Sequence, residues 1–277
     1  MKLMLTPTAH PERIPKGTLQ SFELEMVPYE DHRRRRIQVW LPEDYDGIKR
    51  FPVIYLHDGQ GVFASDTDDP LYADRAVSEC EGFSAIVVAI DTSPDRGAEL
   101  TPPYPRAEAG TIVHGFRTPI ISEPSSTETY GRFVVETLKP LIDENFMTLT
   151  DAANTCVGGV SAGGSASYYM MLTWPEVFGK ALVFSPGFPM FKLDELLNCL
   201  DVYDFDRLKD HRIAFYNGDQ SIDVTSVDYV LAVYRKFREK GFDKDHLMFL
   251  LDTRQSHAAA PWARYLPEML RFVFAAL

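Results

Sequence analysis

The sequence predicts an α/β fold in which a mainly parallel central sheet is flanked by helices on both faces. Short continuous apolar runs rich in β-branched residues, at 51–56, 85–90 and 181–185, are typical of fully buried parallel strands. Segments with helical spacing separate these runs, and such alternation indicates right-handed crossovers within one sheet. The length of 277 residues and the hydrophobic content of 45% suit one domain over 1–277 with a substantial core.

The remaining elements follow in chain order. Alternating apolar and polar residues over 19–27 and 35–41 predict antiparallel strands, so that 1–45 forms an antiparallel edge of the sheet. Further strands are expected at 155–157, 212–216 and 246–251, and helices at 70–82, 129–146, 165–174, 225–240 and 262–277.

One segment, 92–128, does not fit the alternation, because it is rich in Pro, Gly, Ser and Thr and is too long for an ordinary connection. The sequence predicts a long loop insertion near a functional site. Its candidate substrate-binding side chains are Tyr104, Arg106, His114, Phe116 and Arg117. The alternative is a surface insertion without a binding role.

Charge and composition restrict the partners. The net charge of −12 opposes general affinity for nucleic acid or anionic membrane, and no stretch approaches the roughly 20 apolar residues of a membrane span.

Residues 1–13 lack a secretory hydrophobic region, which predicts a cytoplasmic protein. Three separated cysteines suggest no disulfide framework. The basic run 33–36 is expected to be a solvated strand entrance in preference to a phosphate site. The oligomeric state is not indicated.

The pentad Gly159–Gly163, of the form Gly-x-Ser-x-Gly, lies between an apolar strand and a run of small residues that can open a helix. This context is typical of a nucleophile elbow, in which flanking glycines avoid collisions at a sharp turn. The sequence predicts that Ser161 projects its hydroxyl above the sheet as a nucleophile. The alternative is a glycine-rich turn with an unrelated serine.

A serine nucleophile needs an imidazole to accept its proton, and in this fold the order along the chain is serine, acid, histidine. His211 and His246 precede or begin strands, which places them at the end of the sheet away from the elbow. His257 follows the last strand, so it is the predicted base.

A carboxylate must orient that imidazole, and the loop 217–223 contains two candidates, Asp219 and Asp223. Asp223 lies several residues into the loop, from where a side chain reaches across to the histidine, and it is preferred. Asp219 stays open as the alternative acid.

Acyl transfer also requires donors for the developing oxyanion. The backbone amides of Ala162 and of Gln60, in the glycine-containing loop 57–61, are the predicted donors. His57 and Asp58 are not accompanied by a second cluster at metal-ligand spacing, so neither a metal nor a cofactor is expected.

With these residues, the chain resembles the esterase family of α/β-hydrolases that includes enterochelin esterases, feruloyl and acetyl xylan esterases and S-formylglutathione hydrolase. The resemblance covers most of residues 35–275 and rests on the segments 39–42, 53–60, 130–143, 158–164 and 174–178. The chain departs from the family in having Gly61-Val62-Phe63 where Asn-Leu-Phe is common, and Gln255 where a glycine often stands.

The resemblance implies an α/β-hydrolase fold and a serine carboxylic-ester hydrolase that forms an acyl-enzyme. The expected substrate is a small to medium ester, either aromatic of the feruloyl type or an acetyl ester, with a siderophore ester of the enterochelin type as the alternative. A catalytically silent member that binds a ligand or partner is the alternative from another class.

Overall fold

The computed structural model describes residues 5–8, 12–14, 16–64, 67, 69–108, 110–117 and 123–275. The strands are β1 (Thr6–Pro7), β2 (Glu12–Ile14), β3 (Gly17–Glu25), β4 (Arg34–Pro42), β5 (Val53–His57), β6 (Ile86–Ile90), β7 (Ile112–Val113), β8 (Phe116–Arg117), β9 (Thr155–Val160), β10 (Lys180–Phe184), β11 (Arg212–Gly218) and β12 (Leu247–Asp252). The helices are α1 (Ala73–Ser78), α2 (Arg96–Leu100), α3 (Thr127–Arg132), α4 (Lys139–Asn145), α5 (Ala162–Thr173), α6 (Leu193–Asn198), α7 (Val224–Glu239) and α8 (Ala259–Val273). A π-helical stretch, Phe133–Leu138, joins α3 to α4.

The sheet runs in the order β1-β3-β4-β6-β5-β9-β10-β11-β12, with β2 paired to β3. The pairs β3–β4 and β4–β6 are antiparallel, whereas every pair from β6 to β12 is parallel. The predicted mainly parallel sheet with an antiparallel amino-terminal edge is therefore confirmed. In such a sheet the loops after the parallel strands meet at one edge.

Two hydrophobic clusters cover the two faces of the sheet. Along β6, Ile86, Val88 and Ile90 belong to one cluster, and Val87 and Ala89 belong to the other. Helix α5 contributes to the first cluster, and α1 and α8 contribute to the second. Helices thus flank both faces, as expected. No helix in the described ranges is both long enough and apolar enough to cross a bilayer. The cytoplasmic location stays a prediction.

The segment 92–128 is more ordered than its composition suggests. It contains α2 and a short hairpin formed by β7 and β8, while part of it, 118–122, lies outside the described residues. The segment thus contains regular structure at 96–100, 112–113 and 116–117, and its role as a loop insertion near a functional site stays a prediction.

The basic run 33–36 holds this segment against the sheet. Arg35 is buried and donates through Nη2 to both carboxylate oxygens of the buried Glu99, at 2.9 and 3.0 Å. It also donates through Nη1 to the carbonyl of Asp91 at 2.7 Å. Arg33 pairs with Asp95. A solvated strand entrance is therefore wrong for Arg35, because the fold brings carboxylates from more than fifty residues away onto the run.

Removal of the Glu99 carboxylate is expected to destabilise the fold strongly. The Glu99→Ala variant leaves the Arg35 guanidinium buried without its charge partner, which costs about 3–5 kcal/mol of unfolding free energy. Urea denaturation measures this as a lower midpoint. The matched control is Glu136→Ala, which breaks the exposed Arg132–Glu136 pair and should cost less than about 1 kcal/mol. Equal losses in the two variants would contradict the assignment.

Candidate active site

The turn between β9 and α5 holds Ser161 in a strained conformation, with φ 57° and ψ −123°. Its amide donates to the carbonyl of Phe184 at 2.9 Å, and its carbonyl accepts from the amide of Gly187 at 3.1 Å. A Cβ on Gly159 would stand 2.7 Å from the carbonyl carbon of Gly163, so a glycine is required where strand and helix approach each other. The strand, turn and helix around Ser161 thus have the geometry of a nucleophile elbow.

A histidine and a carboxylate from two other loops meet at the same edge of the sheet. His257, in the loop between β12 and α8, donates from Nδ1 to Oδ1 of Asp223 at 2.5 Å. Asp223 follows β11 in a 3₁₀ turn and is 1% exposed, and its Oδ2 accepts from the amide of Gly218 at 3.2 Å. The bond fixes the tautomer of His257 with the proton on Nδ1, leaving Nε2 as an acceptor.

Two further residues complete a ring of contacts around this pair. The indole Nε1 of Trp262 donates to Ser185 Oγ at 3.0 Å, and Ser185 Oγ donates to Asp223 Oδ2 at 2.8 Å. The Trp262 ring also packs edge-on against the His257 ring, with centroids 4.8 Å apart. The carboxylate and the imidazole are therefore each held from a second side.

Sequence reasoning did not assign a role to Ser185. Ser185 follows β10, which is the strand next to β9, and this position alone could have predicted that Ser185 lies near Ser161.

Asp219 occupies a different place from Asp223. Its Oδ1 accepts from the backbone amide of Arg254 at 2.6 Å and from Gln220 Nε2 at 2.8 Å. These hydrogen bonds, that of Gln220 foremost, lower the pKa of the Asp219 carboxyl. The amides of Asp219 and Gln220 both donate to the carbonyl of Gln255. Asp219 thus contacts the backbone of the loop that carries His257, and Asp223 contacts the imidazole.

Ser161, Ala162 and His257 line one cavity of about 200 Å³. Its apolar wall includes Pro186, Pro189, Met190 and Ile222, and two arginines, Arg96 and Arg117, also line it. The cavity therefore combines a small apolar volume with positive charge.

Gln60 lies in the 3₁₀ turn Gly59–Gly61 that follows β5. Strand β5 pairs in parallel with β9, which brings this turn beside the elbow. The Gln60 side chain is turned away, because its Oε1 accepts from the amide of Thr92 at 3.1 Å. Gln60 does not line the 200 Å³ cavity within the described ranges.

Of the five candidate binding residues on 92–128, the structure brings one, Arg117, into the cavity. Phe116 and Arg117 are neighbours in β8, so their side chains point to opposite faces, and Phe116 is exposed. Tyr104 is 6% exposed and packs edge-on against Tyr168, Tyr169 and Phe191 in the core.

The other two candidates also lie away from the cavity. Arg106 forms an antiparallel bridge with Phe191. His114 is exposed, and its Nε2 lies 3.0 Å from Asp228 Oδ2 at the surface. The expectation that Tyr104, Arg106, His114 and Phe116 line the pocket is therefore not supported by their positions.

Sequence reasoning missed Arg96, which lines the cavity from the first position of α2. Its Nε donates to Asp58 Oδ1 at 2.6 Å and its Nη2 donates to Asp58 Oδ2 at 2.8 Å. This bidentate pair raises the pKa of Arg96. No local pattern signals a contact between residues 38 positions apart.

His57, which precedes Asp58, is a buried structural residue. Its Nδ1 lies 2.9 Å from the hydroxyl of Tyr130, and burial lowers its pKa to about 4. In the described part of the chain, no three or more His, Cys, Asp and Glu side chains are grouped so as to hold a metal ion.

Comparisons with known proteins show the family and the fold. A model of the family described as Putative esterase matches residues 31–272. The chain is 22% identical over 228 residues to the uncharacterized protein YbbA of Bacillus subtilis, covering 80% of this chain and 86% of that protein. It is 28% identical over 177 residues to the ferri-bacillibactin esterase BesA of the same organism, covering 61% of this chain and 60% of that protein.

A solved structure shares the fold along the whole chain. The feruloyl esterase module of Clostridium thermocellum superimposes with a TM-score of 0.70 at 15% sequence identity, covering 100% of this chain and 97% of the module. The expected α/β-hydrolase fold is confirmed.

Proposed function

The chain belongs to the Putative esterase family and is an esterase, and on that premise we propose that Ser161, His257 and Asp223 are its catalytic triad. The observation that carries the proposal is the hydrogen bond between His257 and the buried Asp223, with His257 and the elbow serine lining one cavity. Three loops, after β9, β11 and β12, supply the three groups at the carboxyl edge of the sheet.

In the proposed first step, Nε2 of His257 accepts the proton of the Ser161 hydroxyl as the oxygen attacks the ester carbonyl. Asp223 stabilises the imidazolium that forms and keeps Nδ1 protonated. The backbone amides of Ala162 and Gln60 are the proposed donors to the oxyanion of the tetrahedral intermediate. His257 then gives its proton to the departing alkoxide, and the acyl group stays on Ser161.

In the proposed second step, His257 accepts a proton from water while the water oxygen attacks the acyl-enzyme. A second tetrahedral intermediate collapses, the carboxylic acid leaves, and the proton returns from His257 to Ser161. Ser185 and Trp262 are proposed as positioning residues, because Ser185 donates to Oδ2 of Asp223 and the Trp262 ring packs against the His257 ring.

The proposed substrate is a small to medium carboxylic ester. A cavity of about 200 Å³ is below the roughly 300 Å³ at which typical small-molecule sites begin, which favours a short acyl group such as acetyl. An aromatic, feruloyl-type ester is supported by the match to the feruloyl esterase module, although Tyr104 and Phe116 offer it no stacking surface. A siderophore ester is the alternative and is supported by the match to BesA.

Covalent labelling tests the proposed nucleophile. A fluorophosphonate should react with the purified protein at one equivalent and place its adduct on the peptide that contains Ser161, because only an activated serine attacks the phosphorus. Tandem mass spectrometry locates the adduct, and Ser161→Ala provides the unreactive control. Absence of labelling, or an adduct on another serine, would refute the proposal and would favour a silent binding protein.

A further inference from the structure

Two arginines line the cavity of Ser161, although the chain as a whole is strongly acidic. Arg96 and Arg117 come from different elements, α2 and β8, and both lie in the segment that separates β6 from α3. No aspartate or glutamate lines this cavity within the described ranges, whereas the whole chain carries a net charge of −12. Positive charge is therefore concentrated where a substrate would bind.

Arg96 is held in place before any ligand arrives. Asp58 engages its Nε and Nη2, and helix α2 is anchored from beneath by the buried Arg35–Glu99 pair. A guanidinium has five N–H donors, so the Asp58 pair leaves three for a ligand. The carboxylate of Asp58 offsets most of the positive charge of Arg96. Arg96 therefore offers a ligand fixed hydrogen-bond donors but little net charge.

Arg117 supplies the uncompensated charge. Its guanidinium makes no ion pair with any carboxylate in the described ranges, and Arg117 lines the cavity from the end of β8, where it pairs with Ile112 of β7. The hairpin is joined to α7 by the contact between His114 and Asp228. An unpaired arginine beside an apolar wall is suited to bidentate binding of a carboxylate.

We propose that this cavity selects esters that carry a carboxylate, which Arg117 binds together with the free N–H groups of Arg96. The inference rests on the proposed function of the Ser161 site and adds the substrate class. The apolar wall of Pro186, Pro189 and Met190 contacts the uncharged part of the substrate. The carboxylate belongs to either the acyl or the alcohol half, and the experiment separates the two.

Two matched pairs of esters test the proposal. Monoethyl succinate and diethyl succinate differ by a carboxylate on the acyl half, and 4-acetoxybenzoate and its methyl ester differ by a carboxylate on the leaving group. We expect kcat/KM to favour the charged member of at least one pair by about tenfold or more, mainly through KM, because hydrogen bonds to charged groups are strong. No preference in either pair would overturn the proposal.

Variants of Arg117 locate the effect. Arg117→Met should lower the charged-to-neutral ratio of kcat/KM by about tenfold or more, and Arg117→Lys should restore part of it, because lysine keeps the charge but loses the bidentate fork. Arg132→Met, which removes an exposed arginine on α3, controls for the change in net charge and should leave the ratio unchanged. Equal losses toward charged and neutral esters in Arg117→Met would contradict the proposal.

A further measurement needs no variant. Because the proposed contact is electrostatic and partly exposed, added salt should weaken the wild-type preference for the charged ester. If salt did not change the preference, an electrostatic contact between Arg117 and the substrate carboxylate would be contradicted. Failure of this inference is distinguishable from failure of the triad, since Ser161 would still be labelled by the fluorophosphonate and the neutral esters would still be hydrolysed.

Discussion

Replacement of Ser161 by alanine is expected to lower kcat for p-nitrophenyl acetate and butyrate by about 10⁵- to 10⁶-fold, the range found when a serine hydrolase loses its nucleophile. The elbow turns the Ser161 side chain into the cavity, where it is the group proposed to form the acyl-enzyme. Without the Ser161 hydroxyl no acyl-enzyme can form, so His257 and the oxyanion donors cannot act through it. Steady-state release of p-nitrophenolate by the purified variant measures the loss.

A serine one helical turn away provides the matched control. Ser165 lies in α5 and is fully buried, and its hydroxyl has no hydrogen-bond partner among the residues that the structure describes. Ser165→Ala should therefore keep kcat within a few-fold of wild type while making the same chemical change. Comparable activity in Ser161→Ala and Ser165→Ala would exclude Ser161 as the nucleophile.

The positions of Ser161 and His257 at one edge of the sheet could be predicted from the sequence, because both positions depend on local pattern and on topology. A glycine at 159 is required where β9 turns this sharply into α5, and a Cβ on Gly163 would stand 3.2 Å from Asp58 Oδ2, so the two glycines of the pentad mark Ser161 directly. His257 follows a strand, whereas His211 and His246 precede one, and parallel strands place these ends at opposite edges. Neither inference needs knowledge of side-chain directions.

The positive wall of the cavity could not be located in the same way. Arg96 depends on Asp58, and the helix that carries it depends on Arg35 and Glu99, which are 64 positions apart. Such long-range pairs leave no periodic pattern in the sequence, and the sequence alone does not distinguish a buried arginine from an exposed one. The sequence of the run 33–36 therefore predicts only a solvated strand entrance.

Which side chains of β8 line the cavity depends on the alternation of side chains along a strand. The sequence does not reveal how β7 and β8 pair, so it does not reveal which face each side chain takes. Phe116 and Arg117 are equal candidates in the sequence; both are exposed in the hairpin, and of the two it is Arg117 that lines the cavity. The aromatic ring of Tyr104 is compatible with substrate stacking, but an aromatic ring in a long loop can equally fix the loop to the core. Its contacts with three other rings indicate that second role.

The sequence offers two aspartates in one loop for the acid of the proposed triad, and the structure gives them different contacts. Asp223→Asn is expected to lower kcat by about 10⁴-fold, because an amide in place of the carboxylate favours the wrong His257 tautomer and no longer stabilises the imidazolium. The buried hydrogen bonds from Ser185 and Gly218 should keep the asparagine in position, so the fold is retained. Steady-state kinetics with p-nitrophenyl butyrate, together with the thermal midpoint of each variant, measure the two effects separately.

Asp219→Asn is the matched control, because it makes the same substitution four residues earlier in the chain. The side-chain oxygen of an asparagine can still accept from the amide of Arg254, so the loop that carries His257 keeps its support and kcat should fall by less than about tenfold. The ratio of the two effects decides the assignment. A loss of about 10⁴-fold in Asp219→Asn with near-normal turnover in Asp223→Asn would identify Asp219 as the acid, and it would require the loop to rearrange on substrate binding so that His257 exchanges one carboxylate for the other.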